Sequence, residues 1–264
     1  MDLGLNGKSA LVTGSTAGIG FATALQLAAE GAHVYVNGRT DARVQAAVDR
    51  IRSAHPNATV EGVAGDLSTA AGCAALIARI PSLDILVNNL AVFEPTPFDQ
   101  IDDSAWMRFW ETNVMSGVRL TRHYLAGMRE RNWGRIVFVS SESAVQIPAE
   151  MIHYGVTKTA QIAVARGIAE TLVGTNITCN SVLPGPTASE GVQTFVEQIA
   201  AQQQKTTAQM EHDFFEHARP SSLLKRFEQP EEIAAMIVYV CSARASGTNG
   251  SALRVDGGVV RAIL

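Results

Sequence analysis

The chain has 264 residues, 47% of them hydrophobic and 17% charged, enough apolar material to bury one large core. Its 21 basic and 25 acidic side chains leave a formal charge of −4 with no long charge block, which excludes the electrostatic footprint of nucleic-acid or anionic-membrane binding and points to small-molecule partners. Cys73, Cys179 and Cys241 are odd in number, widely spaced and set among apolar neighbours, a pattern of reduced core thiols rather than a disulfide framework or zinc site, so a cytoplasmic protein is expected. Met1 to Lys8 lack the basic start and apolar core of a signal peptide, and no apolar run approaches a membrane span.

Lys8 to Thr13 reads as a short buried strand, Gly14-Ser15-Thr16-Ala17-Gly18-Ile19-Gly20 follows, and a helical run spans Phe21 to Glu30. Strand, glycine turn and helix form the order in which a backbone approaches a pyrophosphate. Glycines allow the tight turn, and the N–H groups and dipole of the helix start hold negative charge. The spacing Gly-x-x-x-Gly-x-Gly is not the commoner Gly-x-Gly-x-x-Gly, and the plain alternative is a tight turn without a ligand. His33 to Asn37 reads as a second strand, ending in Gly38 and Arg39 where a NAD-binding fold often carries an acid for the ribose. Arg39, with Arg43 one turn along the next helix, is therefore a candidate for a ribose 2′-phosphate, the alternative being a surface arginine. Asp41 is expected in the first turn of the helix ending near Ser53.

Thr59 to Val63 is a third strand closed by Gly65-Asp66-Leu67, and a helix from Thr69 to Ile80 leads to a fourth, Asp84 to Asn89. Strands alternating with helices predict a parallel sheet with helices on both faces. Ser104 to Arg131 reads as one long helix, with Ser104 as its cap, Gly134 near its end, and Trp106, Phe109, Trp110, Val114, Val118 and Leu125 toward the core. Asn113 interrupts that apolar face, which fits either a satisfied core amide or a functional one. After the apolar run Arg135 to Ser141 and the segment around Tyr154, a sixth strand (Ile177 to Leu183) leads to Pro184-Gly185-Pro186. Thr187 to Pro220 is too long for a connecting loop and suits a lid over a pocket. His212 and His217 are five residues apart and diverge on a helix, so no metal site is expected. A helix from Glu231 to Ala243 and a strand from Ser251 to Asp256 bring the count to seven, in one domain spanning residues 1–264.

Tyr154 and Lys158 stand four residues apart at the start of a run whose apolar positions recur at helical spacing, so the two side chains share a helix face. An ammonium beside a phenol favours the phenolate, and Tyr154 is expected to titrate ~1–3 units below its ordinary ~10, which suits it to proton transfer. The pair alone is weak, because a solvated helix face often carries Tyr and Lys. Its company with Ser141 and the glycine turn gives it weight.

Together these residues resemble the short-chain dehydrogenase/reductase family over nearly the whole chain. Thr13 to Gly20 is similar to its coenzyme motif, Asp66-Leu67 to its adenine-contacting segment, and Asn88-Asn89-Leu90-Ala91 to its Asn-Asn-Ala-Gly motif, with Leu90-Ala91 replacing Ala-Gly. Asn113, Ser141, Tyr154 and Lys158 fall in the order and spacing of its catalytic tetrad, and Pro184-Gly185, followed by Thr187, matches the coenzyme motif after the sixth strand. The resemblance implies a Rossmann-like doubly wound sheet of about seven mainly parallel strands, commonly assembled as a homotetramer through its long helices.

It also implies an NAD(P)-dependent oxidoreductase interconverting a carbonyl and a secondary alcohol. Tyr154 would exchange the proton, Ser141 polarise the carbonyl, Lys158 lower the Tyr154 pKa and hold the nicotinamide ribose, and Asn113 fix a water linking Lys158 to solvent. Ser140, the rival to Ser141, is expected to face the other side of its strand. The Arg39 reading favours NADP(H), with NAD(H) as the alternative, and a ketone or 3-oxoacyl-type substrate. The competing readings are a NAD-dependent alcohol dehydrogenase and a coenzyme-binding regulator without turnover. Phe93, Val145, Ile147, Met151, Phe195 and Phe214, with Glu94, Glu142 and Glu150 nearby, are candidates for pocket walls and equally ordinary lid residues.

Overall fold

The computed structural model describes residues 1–192, 200 and 205–263. Seven strands, β1 (Ser9–Val12), β2 (His33–Gly38), β3 (Val60–Ala64), β4 (Ile85–Asn88), β5 (Gly134–Val139), β6 (Ile177–Pro184) and β7 (Ala252–Val255), form one sheet in the order β3-β2-β1-β4-β5-β6-β7. Every neighbouring pair is parallel, so the sheet is wholly rather than mainly parallel.

Parallel strands covered on both faces need apolar side chains at successive positions, and the central strands supply them. Ala10 and Val12 of β1 and Ile85 and Val87 of β4 join one core with helices α1 (Gly18–Ala29), α2 (Asp41–Ala54) and α8 (Pro230–Cys241). The intervening Leu11 and Leu86 join a second core on the opposite face, against α3 (Ala70–Arg79), α5 (Ser116–Arg131) and α6 (Ile152–Glu170). Each fully buried aliphatic side chain of this kind contributes about 1.5–3 kcal/mol. The strand order reverses between β1 and β4, and the carboxyl ends of the strands around that point form the crevice where doubly wound sheets take their ligands.

The 104–131 region departs from one regular helix. It runs as α4 (Asp103–Phe109), a wide π turn (Trp110–Met115) and α5. The cap is Asp102, which accepts from the Ala105 N–H at 2.7 Å, while Ser104 donates its hydroxyl to Asp102. Asn132, at φ 49°, ends α5, and Gly134 instead opens β5, where a Cβ would lie 2.6 Å from Met128 Sδ. The wide turn shifts the helical phase: Phe109, Val114, Leu120, Tyr124 and Met128 are buried, but Trp110 is 39% exposed and Val118 and Leu125 are only half-buried. The helix α1 likewise begins at Gly18, three residues before Phe21.

Candidate active site

Gly14 and Gly18 take φ values of 61° and 55°, the left-handed region where side chains are strained. A Cβ on Gly20 would lie 2.5 Å from both Asn89 Nδ2 and Gly14 O, so the turn and the end of β4 close on a side-chain-free position. Asn89 Nδ2 donates to Thr13 O and Gly14 O, each at 3.0 Å, and Asn37 Oδ1 accepts from the Gly14 N–H at 3.2 Å. The turn is thereby fixed by two neighbouring strands.

Helices α2, α3 and α4 have their first turns capped by Thr40, Thr69 and Asp102, but α1 has no side-chain cap, and its N-cap is Ala17. Its uncapped first N–H groups and the bare glycine cradle fit the pyrophosphate of a dinucleotide.

The other expected coenzyme residues line the carboxyl edge in different ways. Ser15 is buried and braces the turn, its hydroxyl donating to Val12 O at 2.7 Å and its N–H donating to Asn37 O at 2.8 Å. Thr16 packs over Gly38 and Ile19 is half-buried. Arg39 is exposed just past β2, with Asp41 in the first turn of α2 as expected. Asp66 is exposed, and its carboxylate accepts from the Ser68 N–H, while the Leu67 side chain belongs to the second core. Leu90 also turns toward that core, which explains how its bulk is accommodated beside Gly14. After β6, the Gly185 N–H donates to Val255 O and to Glu228 Oε2, and Thr187 donates to Gly185 O. Glu228 is buried, and its pKa is pushed up to about 7 chiefly by that burial.

Tyr154 and Lys158 lie on α6, with Ser141 just beyond β5. Lys158 is buried; its Nζ donates to Val139 O at 2.8 Å and Gln161 Oε1 at 3.2 Å, and lies 5.6 Å from the centre of the Tyr154 ring. Burial lowers the Lys158 pKa to about 7, partly offset by Glu142. The expected lowering of the Tyr154 pKa is not found. Burial raises it first and the Glu142 carboxylate raises it further, with opposing contributions from a Ser141 hydrogen bond and Arg219. Desolvation of the phenolate dominates, and the Lys158 hydrogen bonds are directed to Val139 and Gln161. Tyr154 is thus held as the phenol, the form that gives a proton.

Asn113 is buried in the wide turn, and its amide is satisfied. Its Nδ2 donates to Val92 O and Thr157 Oγ1, each at 3.0 Å, and its Oδ1 accepts from the Val92 N–H at 2.8 Å. Its carbonyl accepts from Gln161 Nε2 at 2.5 Å, so the Gln161 side chain bridges Lys158 to Asn113 directly. Sequence reading missed Gln161, although its position three residues after Lys158 puts a polar group on the same helix face. Ser140 lies beyond the strand; its hydroxyl donates to Lys158 O at 2.8 Å, supporting α6 rather than the site.

Of the candidate pocket residues, Phe93 stands edge-on to Tyr154 at 6.3 Å between ring centres, and Val145 and Ile147 are exposed in the segment between Ser141 and α6. Phe214 packs in an aromatic cluster with Phe215 and Phe227. Phe195 lies outside the described residues, as do positions 193–199 and 201–204 of the expected lid, about a third of its length. From that lid the structure describes α7 (Thr207–Asp213) and the following π turn (Phe214–Ala218).

Residues 8–200 match the family model described as short chain dehydrogenase. The chain is 46% identical over 263 residues to the Bacillus subtilis (strain 168) protein named uncharacterized oxidoreductase YvaG, with all of both chains covered. It is 30% identical over 263 residues to 3-oxoacyl-[acyl-carrier-protein] reductase FabG of Aquifex aeolicus (strain VF5), covering 98% of this chain and 100% of that one. The solved structure of L-sorbose reductase from Gluconobacter frateurii, complexed with NADPH and L-sorbose, matches it with a TM-score of 0.94 at 32% identity over 100% of both chains. A glycine cradle at the sheet's reversal point, a Ser-Tyr-Lys group beside it and these full-length likenesses agree: the chain belongs to the short-chain dehydrogenase/reductase family and is an oxidoreductase.

Proposed function

We propose that the chain reduces a ketone to a secondary alcohol with NADPH, acting through Ser141, Tyr154 and Lys158 as one catalytic unit within a single domain. The observation that carries this reading is the placement of Tyr154 and Lys158 on α6, Ser141 just beyond β5 and the uncapped start of α1 just beyond β1, all past the carboxyl ends of neighbouring strands of one sheet. Gly14 to Gly20, Asn89, Asp66, Lys158 and Pro184 to Thr187 would hold the coenzyme, which when bound supplies hydride to the carbonyl carbon. Tyr154 gives its phenolic proton to the carbonyl oxygen as the new C–H bond forms, leaving a phenolate to be reprotonated. General acid catalysis of this kind is worth ~10²–10⁴-fold. Lys158 holds the ribose, and Gln161 and Asn113 hold Lys158.

Arg39 supports NADPH over NADH. It is an exposed planar donor fork where a carboxylate would repel the phosphate. The L-sorbose reductase with NADPH and the 3-oxoacyl reductase among the relatives support reduction of a ketose or 3-oxoacyl carbonyl. Val118, Leu125, Ala126, Val164 and Ile168 form an apolar groove between α5 and α6 that supports a homotetramer built through those helices. Three buried free thiols support a reducing, cytoplasmic setting.

The test follows consumption of NADPH and NADH against ketoses, simple ketones and 3-oxoacyl thioesters, and the reverse reaction with alcohols. Faster ketone reduction with NADPH is expected. Alcohol oxidation with NAD exceeding it at neutral pH contradicts the reading.

A further inference from the structure

The loop after β5 carries an ionic chain that the roles of Tyr154 and Lys158 leave unexplained. Ser141 Oγ donates to Glu142 Oε2 at 2.5 Å, the other carboxylate oxygen accepts from Arg219 Nε at 3.0 Å, and Arg219 Nη1 reaches Glu150 Oε1 at 3.3 Å. Glu142 and Arg219 are both buried, while the Glu150 side chain is half exposed at the rim. Arg219 comes from the end of the segment that follows α7, distant in sequence from Ser141. A buried ion pair gains little net stability, since desolvation offsets most of the attraction. A charged acceptor, however, holds a hydroxyl hydrogen in one direction through a strong, short bond. The pair therefore does more for the orientation of Ser141 than for the fold.

We propose that Glu142 and Arg219 are positioning residues for the reaction: Glu142 holds the Ser141 hydroxyl in one place beside Tyr154 until substrate binds, while the Ser143 N–H fixes the Ser141 oxygen from the other side, and Arg219 holds the carboxylate in place. This rests on the reading of Ser141 and Tyr154 as the catalytic centre. When a ketone binds, the Ser141 hydrogen turns from Glu142 to the carbonyl oxygen, and the oxygen it leaves stays anchored by the Ser143 N–H. The segment bearing Arg219 is thereby mechanically tied to the catalytic serine.

The charges facing Tyr154 are the Glu142 carboxylate and the Arg219 guanidinium on the loop side and the Lys158 ammonium by its ring, with Glu150 paired to Arg219 at the rim. Glu142 raises the Tyr154 pKa and Arg219 lowers it, so removing each charge has opposite consequences. Alcohol oxidation needs the phenolate, and its rising limb against pH reports loss of the Tyr154 proton. That limb is expected to move by about one unit to lower pH in Glu142→Gln and by a similar amount to higher pH in Arg219→Met. Arg219→Lys, which keeps the charge, stays with the wild type. Glu142→Gln also lowers kcat for ketone reduction by roughly 10-fold with coenzyme affinity unchanged, because the Ser141 hydrogen loses its charged acceptor. The limb shifts show that the two charges face Tyr154; the positioning role is read from the loss of kcat at unchanged coenzyme affinity, recovered in Arg219→Lys and not in Arg219→Met.

Limbs that do not move, or that move the same way, overturn the proposal while Tyr154→Phe still abolishes turnover. Retained turnover in Tyr154→Phe overturns the underlying reading instead. If Glu142→Gln does not fold, the Arg219→Met and Arg219→Lys comparison decides the matter alone: an upward shift restored by lysine supports the proposal, and its absence contradicts it.

Discussion

The Lys158 ammonium lies 5.6 Å from the centre of the Tyr154 ring and is held by Val139 O and Gln161 Oε1. Its position is therefore set by the end of β5 and by its own helix. A buried amine fixed in this way costs the fold free energy whenever it is charged.

That cost has a measurable pH signature. The folded pKa of Lys158, about 7, lies below its ordinary value of 10.5, so between those values the unfolded chain binds a proton that the folded chain has lost. Stability from this group rises with pH across that window. In urea unfolding, the stability of wild type relative to Lys158→Met is expected to grow from about pH 8 to about pH 10, by up to ~1.4 kcal/mol per unit. A difference that stays flat would show that Lys158 is not desolvated in the fold.

Gln161 should matter through Lys158. Gln161→Leu removes an acceptor from the ammonium and a donor from the Asn113 carbonyl. A hydrogen bond to a charged group is worth about 1.5–3 kcal/mol, so turnover should fall by ~10- to 100-fold with coenzyme affinity also reduced. Gln161→Glu keeps an acceptor for Lys158 and should recover part of the loss. Steady-state kinetics and coenzyme titration separate the two effects, and a Gln161→Leu variant with wild-type kcat would remove the bridge from the account.

The sheet and the location of the site were legible because their signals are local. Apolar runs separated by helical periods place the strands, and Tyr154 and Lys158 need only a helix to share a face. The wide turn at Trp110–Met115 was not legible, since its altered phase leaves an ordinary-looking apolar pattern while turning Trp110 outward. The sign of the Tyr154 shift was also hidden. It depends on burial and on Glu142, and the Arg219 that holds Glu142 joins it only through the tertiary fold. Gln161 escaped notice because one amide in a helix gives no periodic signal.

Coenzyme choice tests the reading of the β2 end. Arg39→Ala is expected to weaken NADPH binding by roughly 10- to 100-fold, from loss of a charge-assisted contact of about 1.5–3 kcal/mol, and to leave NADH binding unchanged. Fluorescence titration of both reduced coenzymes checks this. Tighter NADH than NADPH binding in wild type, or no NADPH loss in the variant, would assign Arg39 to the surface.

The most direct measurement is ketone reduction by Tyr154→Phe, which removes the phenolic proton and keeps the ring beside Phe93 and Lys158. Turnover should fall by ~10²–10⁴-fold with NADPH affinity within about twofold of wild type. A Tyr154→Phe enzyme that reduces its ketone at close to the wild-type rate would contradict the assignment of Tyr154 as the acid.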